Sequence, residues 1–467
     1  MFLELMQHYS NMKKRFLIIW FALAIALASC RKYVEIEQLS VRTLKYTADF
    51  RNTMNNNTVL EGTFSYPILS GDDTEITDPT RQNTLGDILS NVYTWAPKYT
   101  SETQSDGDWE RQYKTIYVCN EVLQGVLDTK DGTDAEKQKI YAEALVHRAY
   151  AYLILVNMYG KQYNSATAAT DLGVPLLTTP NLYTKLNRTS VAEVYAQILK
   201  DLRTSVSRLP AVADFNVRPA KVSTYAIFAK TYLNMRDFNN AALYADSALA
   251  LQNGLLDLKA YENVPGTIPV RLINPEIIFS KIANVVYPAI SLSNEVLNSL
   301  GTTDLRYKLF TDARSRFGGQ FSTSFTGRAS CRYLINEFVI NNGPTVPEMM
   351  LIKAECLARA GNTTDAMTLV NNLRVKRFTT ANYTPLTASS ASDALRIVVE
   401  EKRREFFGTG MRWFDQKRLN LDNDFAVIKK RNFKGIDYTL QPNSNGYLYP
   451  IGDKYIILNP ELEQNPR

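Results

Sequence analysis

One spacing occurs twice in this chain, and that repetition constrains its fold more than any feature of composition. Ala229, Tyr232, Ala241 and Ala248 recur as Ala354, Leu357, Ala366 and Leu373, with intervals of 3, 9 and 7 residues in both copies. Small residues at such positions let two antiparallel helices approach closely, and a hairpin of this kind buries its apolar face only by stacking on neighbours. Helical periodicity runs through 108–128, 134–159, 190–208, 220–235, 238–252, 346–360, 363–377, 391–407 and 411–420, while period-2 alternation is scarce. The expectation is a mainly α scaffold with helix pairs near 109–159, 190–252 and 346–377 and a motif region over 391–467. Loop-rich insertions are expected at 61–107, 160–188, 253–345 and 421–467, and long ordered loops on a scaffold usually carry function.

The two copies around Ala229 and Ala354 resemble the first helix and turn of a tetratricopeptide repeat. A third, degenerate pair spans Trp109 to Tyr159, where Ala149 and Tyr152 reproduce the first interval.

The first 29 residues read as targeting. Lys13, Lys14 and Arg15 precede an apolar stretch from Phe16 to Leu27, which ends in Leu27-Ala28-Ser29-Cys30. That stretch falls short of the ~20 residues needed to span a bilayer. Cleavage before Cys30, with lipid on the cysteine, is therefore expected, leaving residues 30–467; Met1 and Met12 both remain possible starts.

Cys119, Cys331 and Cys356 are then too few and too odd for a disulfide framework. Beyond the leader only His147 remains, in a segment that reads as a buried helix, so a histidine metal site or Ser-His-Asp triad lacks partners. No catalytic residue, metal or cofactor is expected. The formal charge of +6 does not imply nucleic acid, and the four basic residues between Lys429 and Lys434 read as a solvated turn.

Near the end stands Glu400-Glu401-Lys402-Arg403-Arg404-Glu405-Phe406-Phe407-Gly408-Thr409-Gly410-Met411-Arg412-Trp413-Phe414-Asp415-Gln416-Lys417-Arg418. Leu395, Val398, Val399, Lys402 and Phe406 share a helical face, and Gly408 and Gly410 end that helix before another begins near Met411. The motif reads as structural: Trp413 packs between helices, while Arg412, Asp415 and Arg418 make ion pairs at their junction. It offers no poised nucleophile, and Gly408-Thr409-Gly410 lacks the lysine and preceding strand of a phosphate loop.

This run resembles the near-C-terminal signature of the SusD/RagB family of Bacteroidota outer-membrane lipoproteins. Tyr33-Val34-Glu35-Ile36 after Cys30, the segment Ala144 to Tyr152 leading to Met158-Tyr159-Gly160 and Gly173-Val174-Pro175, the helix from Pro347 to Gly361, and Tyr449-Pro450-Ile451 with Asn459-Pro460 agree in order. Thr409 and Gln416 depart from the pattern, standing where Glu and Leu are usual. The resemblance implies a non-enzymatic lipoprotein, anchored through Cys30 and facing outward, that captures an oligosaccharide and acts as the lid of a SusC-like TonB-dependent outer-membrane transporter. A peptide ligand, or a surface repeat scaffold with no nutrient ligand, is the alternative.

Oligosaccharide capture combines aromatic faces with polar groups that reach hydroxyls. Within the loop-rich 61–107 region, Trp95 is the foremost stacking candidate, with Tyr93, Tyr99, Asp72 and Arg81 beside it and Tyr287 in the later insertion. The competing reading is a hydrophobic cluster beneath a long loop. A glycosidase pair built on Asp72, Asp73 and Glu75 requires a separation that sequence proximity does not supply, and a solvated acidic turn is preferred.

Overall fold

A computed structural model describes residues 44–283, 289–335 and 337–467; the leader, Cys30 and Tyr287 lie outside the described residues. Its long helices are α1 (Gly107–Gly125), α2 (Asp134–Tyr159), α3 (Val191–Val206), α4 (Lys221–Met235), α5 (Phe238–Leu251), α6 (Val346–Arg359), α7 (Thr363–Arg374), α8 (Ala391–Phe406) and α9 (Met411–Leu419). The side chains of Asp106, Thr133, Ser190, Asp237, Thr345, Asn362 and Ser390 accept hydrogen bonds from backbone N–H groups in the first turns of α1, α2, α3, α5, α6, α7 and α8.

The repeated spacing has a structural counterpart at the turns. Arg236 and Gly361 adopt left-handed φ of 61° and 83°, and the N–H of the next residue, Asp237 or Asn362, donates to the carbonyl of Tyr232 or Leu357 at 2.9 Å. Ala229, Ala241, Ala248, Ala354, Ala366 and Leu373 have no exposed surface. In space α1 packs on α2, α2 on α3, α4 on α5, α5 on α6, and α6 on both α7 and α8. The stack therefore continues across the long insertion between α5 and α6.

The insertions carry small sheets and short helices. Strand β1 (Leu172–Pro175) pairs antiparallel with β2 (Arg188–Ser190), and β3 (Lys429–Phe433) pairs with β4 (Ile436–Leu440) in register Lys429↔Leu440 to Phe433↔Ile436. The second pair corrects the reading of Lys429 to Lys434 as a solvated turn. Lys434 and Gly435, at φ 51° and 79°, form the two-residue connection whose positive φ values suit a right-twisted hairpin. Alternation then buries Arg431 and Phe433 and exposes Lys430 and Asn432.

The closing motif is structural, as its residues indicate. Trp413 is fully buried, stacked on Tyr447 and Tyr449 with ring centroids 4.9 and 5.7 Å away. Arg418 bridges Glu355 of α6 at 2.6 Å and Asp415 at 3.0 Å, and Lys402 reaches Asp415 at 2.8 Å. Glu401 and Glu405 of α8 both meet Arg306 at 2.8 Å, and Glu405 also meets Arg377 at 2.8 Å. His147 is a core residue of α2, 2% exposed, with Nδ1 2.9 Å from Lys281 Nζ.

Candidate functional site

Gly410, at φ 86°, starts α9 in a conformation that disfavours side chains, and a Cβ there would stand 3.0 Å from the Ile68 nitrogen. That close approach seats α9 against the short helix Pro67–Ser70. The chain leaving this helix, Gly71 to Glu75, then passes α9 at Arg412, whose side chain would lie 3.5 Å from a Cβ at Gly71.

A cleft of about 820 Å³ opens there, walled by Asp72 to Thr77, the start of helix Asn294–Leu300, α9 with the segment after it, and the β3–β4 hairpin. Arg412 donates to Asp72 from Nε at 2.7 Å and Nη2 at 3.2 Å, and Lys429 Nζ lies 2.6 Å from the same carboxylate. Burial alone would raise the Asp72 pKa, but Arg412 and Arg403 outweigh it and hold the group well below the usual carboxylate range. Asp72 is thus a fixed anion, and its charge is already answered by protein cations. This arrangement supplies no proton donor for glycoside hydrolysis at that carboxyl.

Arg431 of β3 explains the aromatic wall. Its guanidinium lies 4.2 Å from the Tyr93 ring centroid and 4.4 Å from that of Trp95, while donating to the carbonyls of Leu69 and Ser70 at 3.0 and 3.1 Å. Trp95 donates its indole N–H to the Ser70 carbonyl at 3.0 Å. Tyr93 is 1% and Trp95 8% exposed. They border the cleft, but their faces serve Arg431 first; the exposed stacking platform expected of Trp95 is not what the geometry provides.

Asp72, Tyr93 and Trp95 therefore meet at one cleft, and Tyr99 and Arg81 do not join them. Tyr99 is buried edge-on against Tyr66 and Tyr449 at 5.9 and 5.5 Å. Arg81 is buried with Nε donating to the Ala289 carbonyl at 3.1 Å. Tyr287 is outside the described residues.

Sequence reasoning missed Asn294, Gln416, Asn420 and the hairpin residues Tyr438 and Thr439, which also border the cleft. The available signals were the Lys434-Gly435 turn between alternating residues and the four-residue spacing of Arg412, Gln416 and Asn420. Among the described residues no group of three or more His, Cys, Asp and Glu is placed to hold a metal, and no helix is long and apolar enough to cross a membrane.

The structure joins stacked helical hairpins to a cleft walled by α9, the β3–β4 hairpin and the Asp72–Thr77 segment. Residues 32–233 match the family model described as starch-binding and associating with the outer membrane, and residues 346–467 match the SusD family model. The chain belongs to the SusD/RagB family, whose members bind substrates and are not enzymes. SusD-like protein P2 of Formosa agariphila is 22% identical over 416 residues, 76% of this chain and 79% of that protein. SusD-like protein P38 of the same organism is 29% identical over 123 residues, which is 25% of this chain but only 22% of the relative's length. Among solved structures, a SusD superfamily protein of Bacteroides thetaiotaomicron aligns with TM-score 0.71 at 20% identity, covering 90% of this chain and 100% of that one. A laminarin-binding SusD-like protein aligns with TM-score 0.64 at 17% identity, covering 90% and 99%. At these identities the solved structures establish the mainly α SusD-like fold.

Proposed function

We propose that this chain is a lipoprotein of the outer-membrane surface that captures an oligosaccharide in the cleft between α9, the β3–β4 hairpin and the Asp72–Thr77 segment. It hands the sugar to a SusC-like TonB-dependent barrel over which it acts as lid. The observation that carries this reading is the cleft itself: a concave, mostly polar site on the insertions of a scaffold whose family is described as starch-binding. Laminarin binding by a structural neighbour points to the same ligand class. Asp72, Tyr93 and Trp95 form its inner wall, and Cys30 carries the lipid. Several acyl chains, each buried methylene contributing ~0.8 kcal/mol, suffice to hold such a protein at a membrane surface.

The test is affinity purification of the tagged full chain from gently solubilised outer membranes. A TonB-dependent barrel in stoichiometric amount is expected, and Cys30→Ala is expected to release the protein from the membrane. A membrane-anchored protein that brings down no barrel would refute the lid role.

A further inference from the structure

The inference concerns the chemical class of the ligand and rests on the proposed capture in the cleft. Gln416 sits in the middle of the α9 face that borders the cleft, four residues from both Arg412 and Asn420. It is 5% exposed, and its buried Nε2 has no hydrogen-bond partner among the described residues. A buried amide left unpaired is costly, and a ligand group that reaches this wall of the cleft would offset that cost.

The charges around it point the same way. The inner cations are consumed: Arg412 and Lys429 by Asp72, and Arg431 by backbone carbonyls. On the open rim Glu75, Asp424 and Asp437 are exposed, and no cation of the described residues pairs with them, against the single exposed Lys430 bordering the same cleft. A polyanion entering this site would meet three exposed carboxylates on the rim, with Lys430 as the one exposed cation among the residues that border the cleft. A hydroxyl suits the amide, because it both donates and accepts whichever way the amide is turned.

We propose that the cleft selects a neutral, hydroxyl-rich glycan over a uronic-acid glycan, and that Gln416 is a specificity-determining contact to one of its hydroxyls. The full chain is titrated by calorimetry with a neutral β-1,3-glucan oligosaccharide, a neutral α-1,4-glucan oligosaccharide and an oligogalacturonate of matched length. At least one neutral glucan is expected to bind and the oligogalacturonate to fail; Gln416→Leu is expected to weaken the neutral ligand about tenfold, the loss of one well-made hydrogen bond, while the melting temperature of the ligand-free protein does not fall, since the variant loses an unpaired buried amide.

A second variant separates this inference from the reading beneath it. Thr439→Cys, on the exposed hairpin edge, is coupled to a bulky maleimide polymer, with labelled wild type as control; Cys119, Cys331 and Cys356 are all buried. Binding that survives this block, or the absence of binding to every glycan, overturns the cleft as capture site and the inference with it. Binding abolished by the block but unaffected by Gln416→Leu, or a preference for oligogalacturonate, overturns the inference alone.

Discussion

Two buried side chains make opposite demands on the fold. Trp413 contributes apolar area: its indole is fully buried and stacked on Tyr447 and Tyr449, and its N–H has no partner among the described residues. Trp413→Ala should therefore lower stability by about 3–5 kcal/mol, whereas Trp413→Phe, which keeps stacking and loses no hydrogen bond, should cost much less. Urea unfolding of both variants distinguishes them; equal losses would mean that ring shape, not area, decides the site. Lys281 works the other way. Its Nζ donates to the Leu60 carbonyl and lies beside His147, over the Phe279 ring at 4.6 Å. Burial pushes its pKa down to about 7, only partly offset by Cys119 and Glu61. Between about pH 7 and the ordinary lysine value near 10.4, the unfolded chain binds more protons, so stability rises with pH there, and below about 7 the cost is complete. Lys281→Met should remove that slope and gain most over wild type near pH 6. Parallel urea midpoints across pH would show that the lysine stays charged in the fold. The ligand residues show why single positions are hard to read: Trp95 and Asp72 are of the right chemical type, yet their surroundings depend on Arg431 and Arg412, more than 300 residues away in sequence. No local pattern announces that the faces of Tyr93 and Trp95 are already occupied.

At the scale of elements the helices were legible and one hairpin was not. Helix α2 fills the expected 134–159, and the other long helices fall within a few residues of their periodic stretches, because apolar spacing and N-caps such as Thr133 and Ser190 act locally. The β3–β4 hairpin was masked by its basic composition; Arg431 buries its charge against backbone carbonyls that only the folded chain brings near. A similar dependence governs the joint of α8 with its neighbours. Burial opposes ionisation of Glu405, yet Arg377 and Arg306 outweigh it and lower the pKa to about 2; Lys402 and Arg418 lower that of Asp415 to about 2 against burial in the same way. Carboxylates depressed in this manner stabilise the fold above their unfolded values near ~4, and the contribution disappears as pH falls from about 4 towards 2. Glu405→Gln should lower stability at neutral pH, by about 3 kcal/mol when a buried pair is broken from one side, and flatten the acid limb of the melting curve. A variant that loses stability while keeping the wild-type acid limb would assign the acid sensitivity to other carboxylates.

For the whole molecule the question is whether a stack of hairpins unfolds piecemeal. Linear repeat arrays have only nearest-neighbour contacts and lose cooperativity as they lengthen. Here distant segments are tied across the stack: Asp72 to Arg412 at 2.7 Å, Ser70 to Arg431 at 3.1 Å, and Tyr449 N–H to the Met158 carbonyl at 3.0 Å. The closing segment completes the ties. Asn465, 3% exposed, donates its amide at 2.8 Å to the carbonyls of both Tyr159 and Tyr449, joining the end of α2 to the chain after the hairpin. Such ties make each hairpin's unfolding expose surface in the others, so residues 46–467 should unfold in one step. Asn465→Ala leaves two buried carbonyls without this donor and should cost about 2 kcal/mol, since each lost net hydrogen bond is worth about 1 kcal/mol. The midpoint should fall while circular dichroism and tryptophan fluorescence still trace the same transition, because Arg412 and Arg431 continue to bind the insertions to the stack. Separation of the two probes in the wild type would show that the scaffold behaves as independent repeats. Separation in Asn465→Ala alone would make this one side chain the clasp on which cooperativity depends.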